Sequence, residues 1–384
     1  MGMAETFLSA PARAARPLLT IESGAIADNV ATVRSRTTAE VMAVVKADGF
    51  GHGIVETART ALRAGATWLG VTSLAEAFVL RRAGFTAPIL SWLNAPGADF
   101  TAAASAGVHV AVPDRTTLAA VAGLDRGLSV HLHVDTGMSR GGADHNQWAG
   151  LCAAARDAER SGRIRVAGVM SHLGRADEPE AADNAASVAR FRDAVAVARH
   201  AGLRPAVRHL AATAATLTNP AAHFDLVRIG AGLVGIDPSG RTRLRAAMTL
   251  TAPLIHVRHV AAGTPVGYRH TWHAPAATTL GLLPLGYADG LPRSASDRAQ
   301  VLVEGRRCPV AGLISMDQTV LDLGGAEVPA GRQVIVLGPG DQGEPTVADW
   351  AGWAGTIEQE IVTRIGRRVA RRVVDHEQTR EELA

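Results

Sequence analysis

The sequence predicts a TIM-like α/β barrel of eight parallel strands, followed by a mainly β-strand C-terminal domain. Over residues 15–246, short apolar runs alternate with alanine-rich, helix-like stretches, which is typical of a parallel α/β fold. After about Ala247 the apolar runs lie closer together and glycine-containing turns separate them. This change favours a second domain, built mostly from strands, over residues 247–384.

The barrel prediction depends on the number and composition of the apolar runs. They are nearly continuous rather than alternating, as expected for strands buried on both faces. Eight such runs in roughly 230 residues fit a (β/α)₈ barrel. The predicted strands are Val41–Lys46, Trp68–Ser73, Ile89–Leu93, Val108–Val112, Ser129–Asp135, Val166–His172, Ala206–Ala211 and Asp225–Ile229. The predicted helices between them include Ile54–Ala64, Leu74–Ala83 and Ala182–Ala201.

The C-terminal domain is predicted from five further strand-like runs. They are Leu250–Val260, Thr279–Leu285, Gln300–Val303, Ser315–Leu323 and Gln333–Leu337. Turns are predicted at Glu304-Gly305 and Gly324-Gly325, and a final helix is predicted around Trp350–Val362. We expect residues 1–14 to pack on this domain.

Composition limits the classes of function. The chain has 47% hydrophobic residues, 20% charged residues and a net charge of +3, which suits a globular protein rather than a nucleic-acid binder. The arginine-rich stretch Arg364–Arg372 is interpreted as the solvated face of a tail helix. No apolar run is long enough to span a membrane. Cys152 and Cys308 are too few for a disulfide framework, so a cytoplasmic location is expected. No metal site is predicted.

The most informative residue is Lys46, because it is the only lysine among the 39 basic residues. Chemistry that needs a side-chain primary amine therefore has one possible source. Lys46 lies where an apolar run ends in a glycine-rich turn, Gly49 to Gly53. A lysine at the end of a strand can form a Schiff base with an aldehyde such as pyridoxal phosphate. The alternative is that an arginine-biased genome kept one lysine by chance.

Tyrosine is nearly as rare as lysine. Tyr268 and Tyr287 are the only two, each follows a glycine, and both lie in the predicted β domain. Either could be an ordinary packed aromatic residue, but the shared pattern makes both candidates for a functional site.

Taken in order, several segments give the chain a resemblance to alanine racemases, which are pyridoxal-phosphate enzymes built from a barrel and a β domain. The resemblance runs from about Pro17 to Arg372. The segments that carry it are Val45–Gly53, Val134–Arg140, Gly168–His172, Phe224–Gly230, Gly267-Tyr268, Gly286–Gly290 and Ser315–Gln318.

The resemblance implies a catalytic pair. Lys46 would carry pyridoxal 5'-phosphate as a Schiff base and act as one proton-transfer base, and Tyr268 would act as the second base on the opposite face. Inversion of a stereocentre needs a proton removed on one face and delivered on the other. His172 and Arg228 would support Tyr268, and Arg228 would also face the pyridine nitrogen. Without the family, Arg228 reads as an ion-pair partner of Asp225.

The resemblance also implies binding residues and an assembly. Arg140 and the Met316 amide would hold the carboxylate of a small amino-acid substrate, and Tyr287 and Asp317 would form the entrance. Thr213, Gly230, Ala231 and Gln359 would hold the cofactor phosphate. Tyr268, Tyr287 and Met316 would enter the site from a second subunit, so the resemblance implies a homodimer with shared active sites.

The chain departs from its relatives around the phosphate and the carboxylate anchor. His133 stands where many relatives have a carbamylated lysine that orients the arginine. Phe50 and Gln359 replace two tyrosines that usually donate to the phosphate. In addition, Ala212 replaces a common asparagine and Val234 a common tyrosine. We therefore expect a working racemase, with altered cofactor affinity or inhibitor sensitivity as an open alternative.

Three other functions compete with this interpretation. One is a racemase for another small amino acid, such as serine. The second is a pyridoxal-phosphate carrier without turnover, but such carriers consist of the barrel alone. The third is a decarboxylase with the same two domains, which would need a cysteine opposite the lysine, and Cys308 lies in a poorly fitting hairpin segment.

Overall fold

A computed structural model describes residues 16–124 and 127–375 of the chain. The chain divides into two compact units. The barrel unit contains Glu22–Ala247, and the β unit contains Met248–Val373 together with the described residues up to Ile21. The predicted packing of residues 1–14 lies outside the described residues.

The elements alternate between strands and helices up to residue 229. In chain order they are β1 (Leu18–Glu22), α1 (Ser23–Arg34), β2 (Glu40–Val44), α2 (Lys46–Phe50), α3 (Ile54–Arg63), β3 (Trp68–Val71), α4 (Leu74–Arg82), β4 (Ile89–Ser91), α5 (Phe100–Ser105), β5 (Val108–Val112), α6 (Arg115–Ala122), β6 (Leu128–His133), α7 (His145–Arg160), β7 (Ile164–Met170), α8 (Ala182–His200), β8 (Val207–His209), α9 (Thr213–Thr218) and β9 (Leu226–Ile229).

The remaining elements are mostly strands. They are β10 (Met248–Pro253), β11 (His256–Val260), β12 (Pro265–Val266), β13 (Trp272–His273), β14 (Thr278–Leu283), β15 (Gln300–Val303), β16 (Arg306–Pro309), β17 (Thr319–Asp322), β18 (Gln333–Leu337), α10 (Val347–Ala354), α11 (Glu358–Arg364) and β19 (Ala370–Val374). Among the described residues, no helix is long and apolar enough to cross a bilayer.

The barrel unit contains one parallel sheet of eight strands in the order β8-β7-β6-β5-β4-β3-β2-β9. Two backbone hydrogen bonds bridge its first and last strands, from Asp225 N–H to the Arg208 carbonyl and from Arg228 N–H to the Ala211 carbonyl, both 3.0 Å long. The sheet therefore closes nearly into a barrel, as the sequence predicted. Each predicted barrel strand overlaps an observed one, because continuous apolar runs are needed between two packed faces.

The β unit contains a six-stranded sheet in the order β16-β15-β18-β10-β1-β19, a three-stranded sheet β11-β14-β17, and the hairpin β12-β13. Strand β1 pairs with β10. The barrel unit accordingly begins at Glu22, whereas the sequence placed the start of the barrel near residue 15.

Three local predictions for the β unit are wrong. The run Leu250–Val260 is two strands, because the Leu254 amide donates to the Arg332 carbonyl and the next amide donates to Leu282 in the other sheet. The final helix is split into α10 and α11, since Gly355 ends α10 with φ of 69°. The C-terminal part of the arginine-rich tail forms the strand β19 rather than a helix.

Gly168 on β7 makes room inside the barrel for the side chain of His131. A Cβ added at Gly168 would lie 2.4 Å from His131 Nδ1 and 2.9 Å from the Val207 carbonyl oxygen. We expect Gly168→Ala to lower the free energy of unfolding by about 1–3 kcal/mol, because an overpacked core must shift.

The matched control is Gly150→Ala on the exposed face of α7, where an added Cβ meets nothing within 4 Å. It should raise stability by about 0.5–1 kcal/mol, because alanine favours a helix over glycine. Urea unfolding of both variants checks the pair. Equal effects of the two substitutions would contradict the crowding at Gly168.

Candidate active site

Lys46 follows strand β2 and begins a turn of left-handed backbone. Ala47, Asp48 and Phe50 have φ of 52°, 54° and 55°. A left-handed conformation costs roughly 1–2 kcal/mol for each residue with a side chain, so other contacts must hold the turn. One is a hydrogen bond of 2.9 Å from the Ile54 amide to Asp48 Oδ1. Strain concentrated beside the only lysine is typical of a functional site.

A second contact that holds the turn comes from Glu76, which the sequence analysis missed. The Ala47 amide donates to Glu76 Oε1 at 2.7 Å. The other carboxylate oxygen accepts from the Thr72 and Ser73 amides at 2.9 and 3.2 Å, as part of the capping box of α4. The Ser-x-x-Glu pattern at 73–76 predicts the cap, but nothing local in the sequence predicts the bond to Ala47.

The environment of Lys46 lowers the pKa of its amine below 10.5. Burial is the largest cause, the positive charges of Arg140 and Arg228 add to it, and Glu76 opposes it. A lower pKa leaves more of the amine unprotonated, and the unprotonated amine is the nucleophile that forms a Schiff base. Such an amine is suited to the role that the sequence predicts for Lys46.

Arg228 is buried and, among the described residues, has no carboxylate partner. Nη1 donates to His209 Nδ1 at 3.1 Å, and Nη2 donates to the carbonyls of Ser171 at 2.7 Å and Leu210 at 3.0 Å. Burial and Arg140 lower the Arg228 pKa to about 10. The alternative pairing of Arg228 with Asp225 is wrong, because Asp225 binds Arg208 through two hydrogen bonds of 2.6 Å.

His172 is held neutral beside Arg228. Arg228 Nη2 lies 3.2 Å from His172 Nδ1, and because a guanidinium can only donate, Nδ1 must accept. The ring proton is then on Nε2. Burial, followed by the charge of Arg228, lowers the His172 pKa to about 3. His172 can therefore donate a hydrogen bond through Nε2 at neutral pH.

Arg140 lies at the end of a loop that Asp135 shapes. The carboxylate of Asp135 accepts from the amides of Gly137, Met138 and Ser139, each at 2.9 Å. Arg140 itself is exposed, and its side chain makes no hydrogen bond or ion pair within residues 16–124 and 127–375. An unpaired guanidinium close enough to affect the Lys46 amine is suited to binding a carboxylate.

His133 carries no negative charge that could orient Arg140. Burial and the nearby Arg228 lower its pKa to about 4, so the imidazole is neutral at pH 7. The ring packs close to Gly142, where an added Cβ would lie 3.0 Å from His133 Cδ2. His133 therefore supplies no anionic partner for Arg140.

The predicted phosphate residues of the barrel meet at the start of α9 and the end of β9. Thr213 Oγ1 accepts from the amides of Gly230 at 3.3 Å and Gly232 at 3.1 Å. The Thr213 hydroxyl proton and the Ala231 amide, which has no hydrogen-bond partner among the described residues, remain available as donors. We call Thr213, Gly230 and Ala231 the phosphate cradle. Phe50 packs against it, since a Cβ added at Gly230 would lie 2.8 Å from the para carbon of Phe50.

In the β unit, the predicted entrance residues lie on two paired segments. The Tyr287 amide donates to the Ser315 carbonyl at 3.0 Å, and the Ala288 amide donates to the Met316 carbonyl at 2.9 Å. Gly286 is required there, because an added Cβ would lie 2.3 Å from the carbonyl oxygens of Ser315 and Met316. Tyr287 and Met316 are therefore brought together.

Arg368, which the sequence analysis did not select, links both segments. Its guanidinium lies 2.7 Å from Asp317 and 3.3 Å from the buried Asp289. Asp289 in turn accepts from the Gly286 amide at 2.9 Å. The pattern Asp289-Gly290 predicts a turn, but the pairing with a residue so distant in sequence can be read only from the structure.

The remaining two predicted residues of the β unit lie on separate elements. Tyr268 is exposed in the connection between β12 and β13, after Gly267 with φ of 70°. Gln359 lies in the first turn of α11. The pairing of Tyr268 with Lys46 stays a prediction, and so does the pairing of Gln359 with the phosphate cradle. In each pair the first residue lies in the β unit and its partner lies in the barrel unit.

Comparison with known proteins identifies the family. The chain matches the family models described as alanine racemase, N-terminal domain, over residues 21–238, and alanine racemase, C-terminal domain, over residues 247–373. The chain belongs to the alanine racemase family. It is 48% identical over 370 residues to the alanine racemase of Frankia casuarinae, with 94% of this chain and 96% of that protein covered.

Solved structures of alanine racemases have the same fold. The enzyme from D-cycloserine-producing Streptomyces lavendulae matches with a TM-score of 0.91 at 42% identity, covering 95% of this chain and 98% of that chain. The Bartonella henselae enzyme, with covalently bound pyridoxal phosphate, matches with a TM-score of 0.86 at 27% identity, covering 94% and 100%.

The family match has two consequences. The chain is an amino-acid racemase and hence an isomerase. The match to a C-terminal domain model argues against a barrel-only carrier, and the identity of both family models favours a racemase over a decarboxylase. Cys308, which the decarboxylase would need, is a buried residue of β16. The described residues contain no cluster of three or more side chains suited to hold a metal ion.

Glu76→Ala should loosen the turn beside Lys46. It removes the acceptor of the Ala47 amide, and a hydrogen bond to a charged group contributes about 1.5–3 kcal/mol. We expect faster amide hydrogen exchange at Ala47 and a loss of stability of that order. The control is Glu56→Ala, which removes an exposed ion pair with Arg59 of little energetic value. Unchanged exchange at Ala47 in Glu76→Ala would contradict the assignment.

Buried neutral histidines should make the fold sensitive to acid. The pKa values of His109 and His133 are lowered to about 4, and that of His172 to about 3, against 6.5 when unfolded. The unfolded chain therefore binds more protons in this window. The contribution of these histidines to the free energy of unfolding is fully present above about pH 6.5. It falls as the pH drops towards 4, by up to about 1.4 kcal/mol per pH unit for each histidine.

Urea unfolding at about pH 7.5, 6.5, 5.5 and 4.5 measures this dependence, because these values cover the range in which the unfolded chain binds more protons than the folded chain. His133→Asn should reduce the slope between pH 6.5 and 4.5, whereas His145→Gln, at an exposed position, should leave it unchanged. A stability that is independent of pH over this range would show that the histidines are not held neutral.

Proposed function

We propose that this chain interconverts L-alanine and D-alanine with pyridoxal 5'-phosphate bound covalently to Lys46. The observation that carries the proposal is the environment of the only lysine. It follows a barrel strand, its turn is fixed by Glu76 and Asp48, and burial together with two nearby cations lowers its pKa. When bound, the cofactor supplies an electron sink for the negative charge that develops at the substrate Cα.

The two-base arrangement assigns one proton to each of two rare residues. Lys46 Nζ would hold or deliver the Cα proton on one face of the substrate, and Tyr268 Oη would do so on the other. His172 is suited to support Tyr268, because its Nε2–H is free to donate while Arg228 occupies Nδ1. Arg228 would face the pyridine nitrogen, and its permanent charge would disfavour protonation there.

Substrate binding needs a cation for the carboxylate. Arg140 is suited to this role because its guanidinium is exposed and unpaired among the described residues. The Met316 amide would add a donor, and Tyr287 and Asp317 would line the entrance, where Arg368 holds Asp317. The relatives are alanine racemases, which favours alanine over serine as the substrate.

The phosphate would be held by fewer donors than in relatives. The Thr213 hydroxyl and the Ala231 amide are suited to donate, whereas the Gly230 amide already donates to Thr213. Gln359 would add a side-chain amide. Phe50 has no hydroxyl and adds no donor.

A homodimer with shared sites would cover apolar surface that one chain exposes. Tyr268, Met316 and Tyr287 are exposed by 66%, 53% and 38%, and Met316 and Tyr287 lie on paired segments. Exposed apolar patches often mark an interface. In this proposal those three residues belong to the partner's active site. The enzyme would act in the cytoplasm, where its buried free thiols Cys152 and Cys308 stay reduced, and supply D-alanine for cell-wall precursors.

The direct test mixes pure apo-protein with pyridoxal phosphate and L-alanine. We expect loss of optical rotation, together with an absorption band that borohydride reduction removes and peptide mapping assigns to Lys46. Loss of rotation without any adduct at Lys46, or an adduct without racemisation, would refute the proposal.

Tyr268→Phe should separate racemisation from proton exchange. Removal of one base should slow racemisation by about 10²–10⁴-fold, while one alanine enantiomer still exchanges its Cα hydrogen with deuterated solvent through Lys46. The control is Tyr287→Phe, which changes the only other tyrosine and should cost less than about tenfold. Equal loss of exchange for both enantiomers would rule out the two-base scheme. NMR of recovered alanine measures the exchange.

Phe50→Tyr should tighten cofactor binding. A hydroxyl on the para carbon, next to Gly230, would add a donor to a charged group, worth about 1.5–3 kcal/mol, or about ten- to a hundredfold in Kd. Fluorescence titration of apo-protein with pyridoxal phosphate measures the Kd, with Phe224→Tyr, in the segment before β9, as control. An unchanged Kd for Phe50→Tyr would remove Phe50 from the phosphate site.

A further inference from the structure

Three histidines inside the barrel form a hydrogen-bonded line that starts at Arg228. His209 Nδ1 lies 3.1 Å from Arg228 Nη1, His131 Nδ1 lies 2.8 Å from His209 Nε2, and His109 Nδ1 lies 3.1 Å from His131 Nε2. We call His109, His131 and His209 the histidine line. They lie on β5, β6 and β8. Gly168 on β7 lies between them and leaves the space that the His131 ring occupies.

The charge of Arg228 sets the direction of every bond in the line. A guanidinium has donors only, so His209 Nδ1 must accept and its proton must be on Nε2. That proton is donated to His131 Nδ1, and the same argument places the next proton on His131 Nε2, directed at His109 Nδ1. All three rings therefore share one neutral tautomer, with hydrogen on Nε2.

An extra proton on the line would break its bond to Arg228. If His109 carried hydrogen on Nδ1, His131 Nε2 would have to accept from it, and the hydrogen of His131 would have to be on Nδ1. His209 Nε2 would then accept from His131, and the hydrogen of His209 would be on Nδ1. His209 would then present Nδ1–H to an arginine N–H, and the two donors repel. The environment resists this, because burial lowers the pKa of all three rings.

The line matters to Arg228 because this buried cation has no carboxylate partner among the described residues. An uncompensated buried charge is costly, and the four acceptors around Arg228 are two carbonyls, His172 and His209. Each ring in an aligned line polarises the next and strengthens the bond by about 10–30%. A group two rings away can therefore affect the guanidinium.

We propose that His109 and His131 are positioning residues that hold the Arg228 guanidinium by keeping His209 Nδ1 as an acceptor. This inference rests on the proposed function only for its effect on turnover, since Arg228 is expected to face the cofactor ring. Trp68 shields the line, because its ring meets those of His109 and His131 edge to face, with centroids 5.1 and 5.6 Å apart. The neighbouring charged groups are Arg81 and Arg165, close to His109.

Histidine-¹⁵N NMR of the apo-protein at pH 7.5 tests the tautomers (about 1 unit above the ordinary histidine pKa). We expect the Nδ1 of His109, His131 and His209 to be unprotonated and their Nε2 to carry hydrogen. An imidazolium, or hydrogen on Nδ1 in any of the three, would overturn the proposal. This readout does not depend on catalysis, so it remains decisive even if the chain fails to racemise alanine.

His109→Leu tests the effect on Arg228, and His109→Asn is the conservative rescue, because its side-chain oxygen can accept from His131 Nε2. In His109→Leu, the His209 Nδ1 signal should shift, and kcat should fall by about three- to tenfold with little change in KM for alanine. His109→Asn should restore both. The control His145→Leu changes an exposed histidine on α7 and should alter neither.

Two outcomes would overturn the positioning role. One is a His109→Leu variant in which the His209 signal and kcat match the unmodified chain. The other is a His109→Asn variant as impaired as His109→Leu. If His109→Leu does not fold, the signal and kcat of His109→Asn still decide, because both must match the unmodified chain.

Discussion

The barrel site depends on one buried positive charge that no carboxylate in the described part of the chain neutralises. Burial is the largest cause of the lowered pKa of Lys46, His133, His172 and His209, and Arg228 lowers each of them further. Its donors fix which ring nitrogen of His172 and His209 is protonated, since a guanidinium cannot accept. A carboxylate beside Arg228 would cancel its charge and remove its effect on these pKa values. The pairing of Asp225 with Arg208 instead therefore has a consequence for the whole site.

The backbone around the lysine adds a second constraint. The turn from Ala47 to Gly51 is left-handed, and Glu76 and Asp48 supply the hydrogen bonds that offset its strain. Glu76 also caps α4 and acts electrostatically on the Lys46 amine. The Glu76 carboxylate thus affects both the geometry of the turn and the charge near Lys46. In the β unit, Arg368 links the Tyr287 and Met316 segments.

The sequence predicts what depends on local pattern. The barrel strands follow from continuous apolar runs, and Lys46 stands out because it is the only lysine. What it could not predict depends on contacts between distant residues. Glu76 reaches Ala47 across 29 positions, and His109, His131 and His209 look like ordinary strand residues until the barrel brings them together. The prediction of one strand over Leu250–Val260 was wrong for a related reason, because one apolar segment can contribute strands to two sheets.

The central claim is that the Arg228 charge adds to burial in lowering the pKa values of the site, and the Lys46 amine reports this contribution directly. Because the chain has one lysine, NMR of ¹⁵N-lysine-labelled apo-protein gives one Nζ titration, to be compared with Arg228→Gln. The account predicts a pKa below 10.5 that rises in the variant, though not fully, since burial and Arg140 remain. A pKa at or above 10.5, or one that Arg228→Gln leaves unchanged, would contradict it.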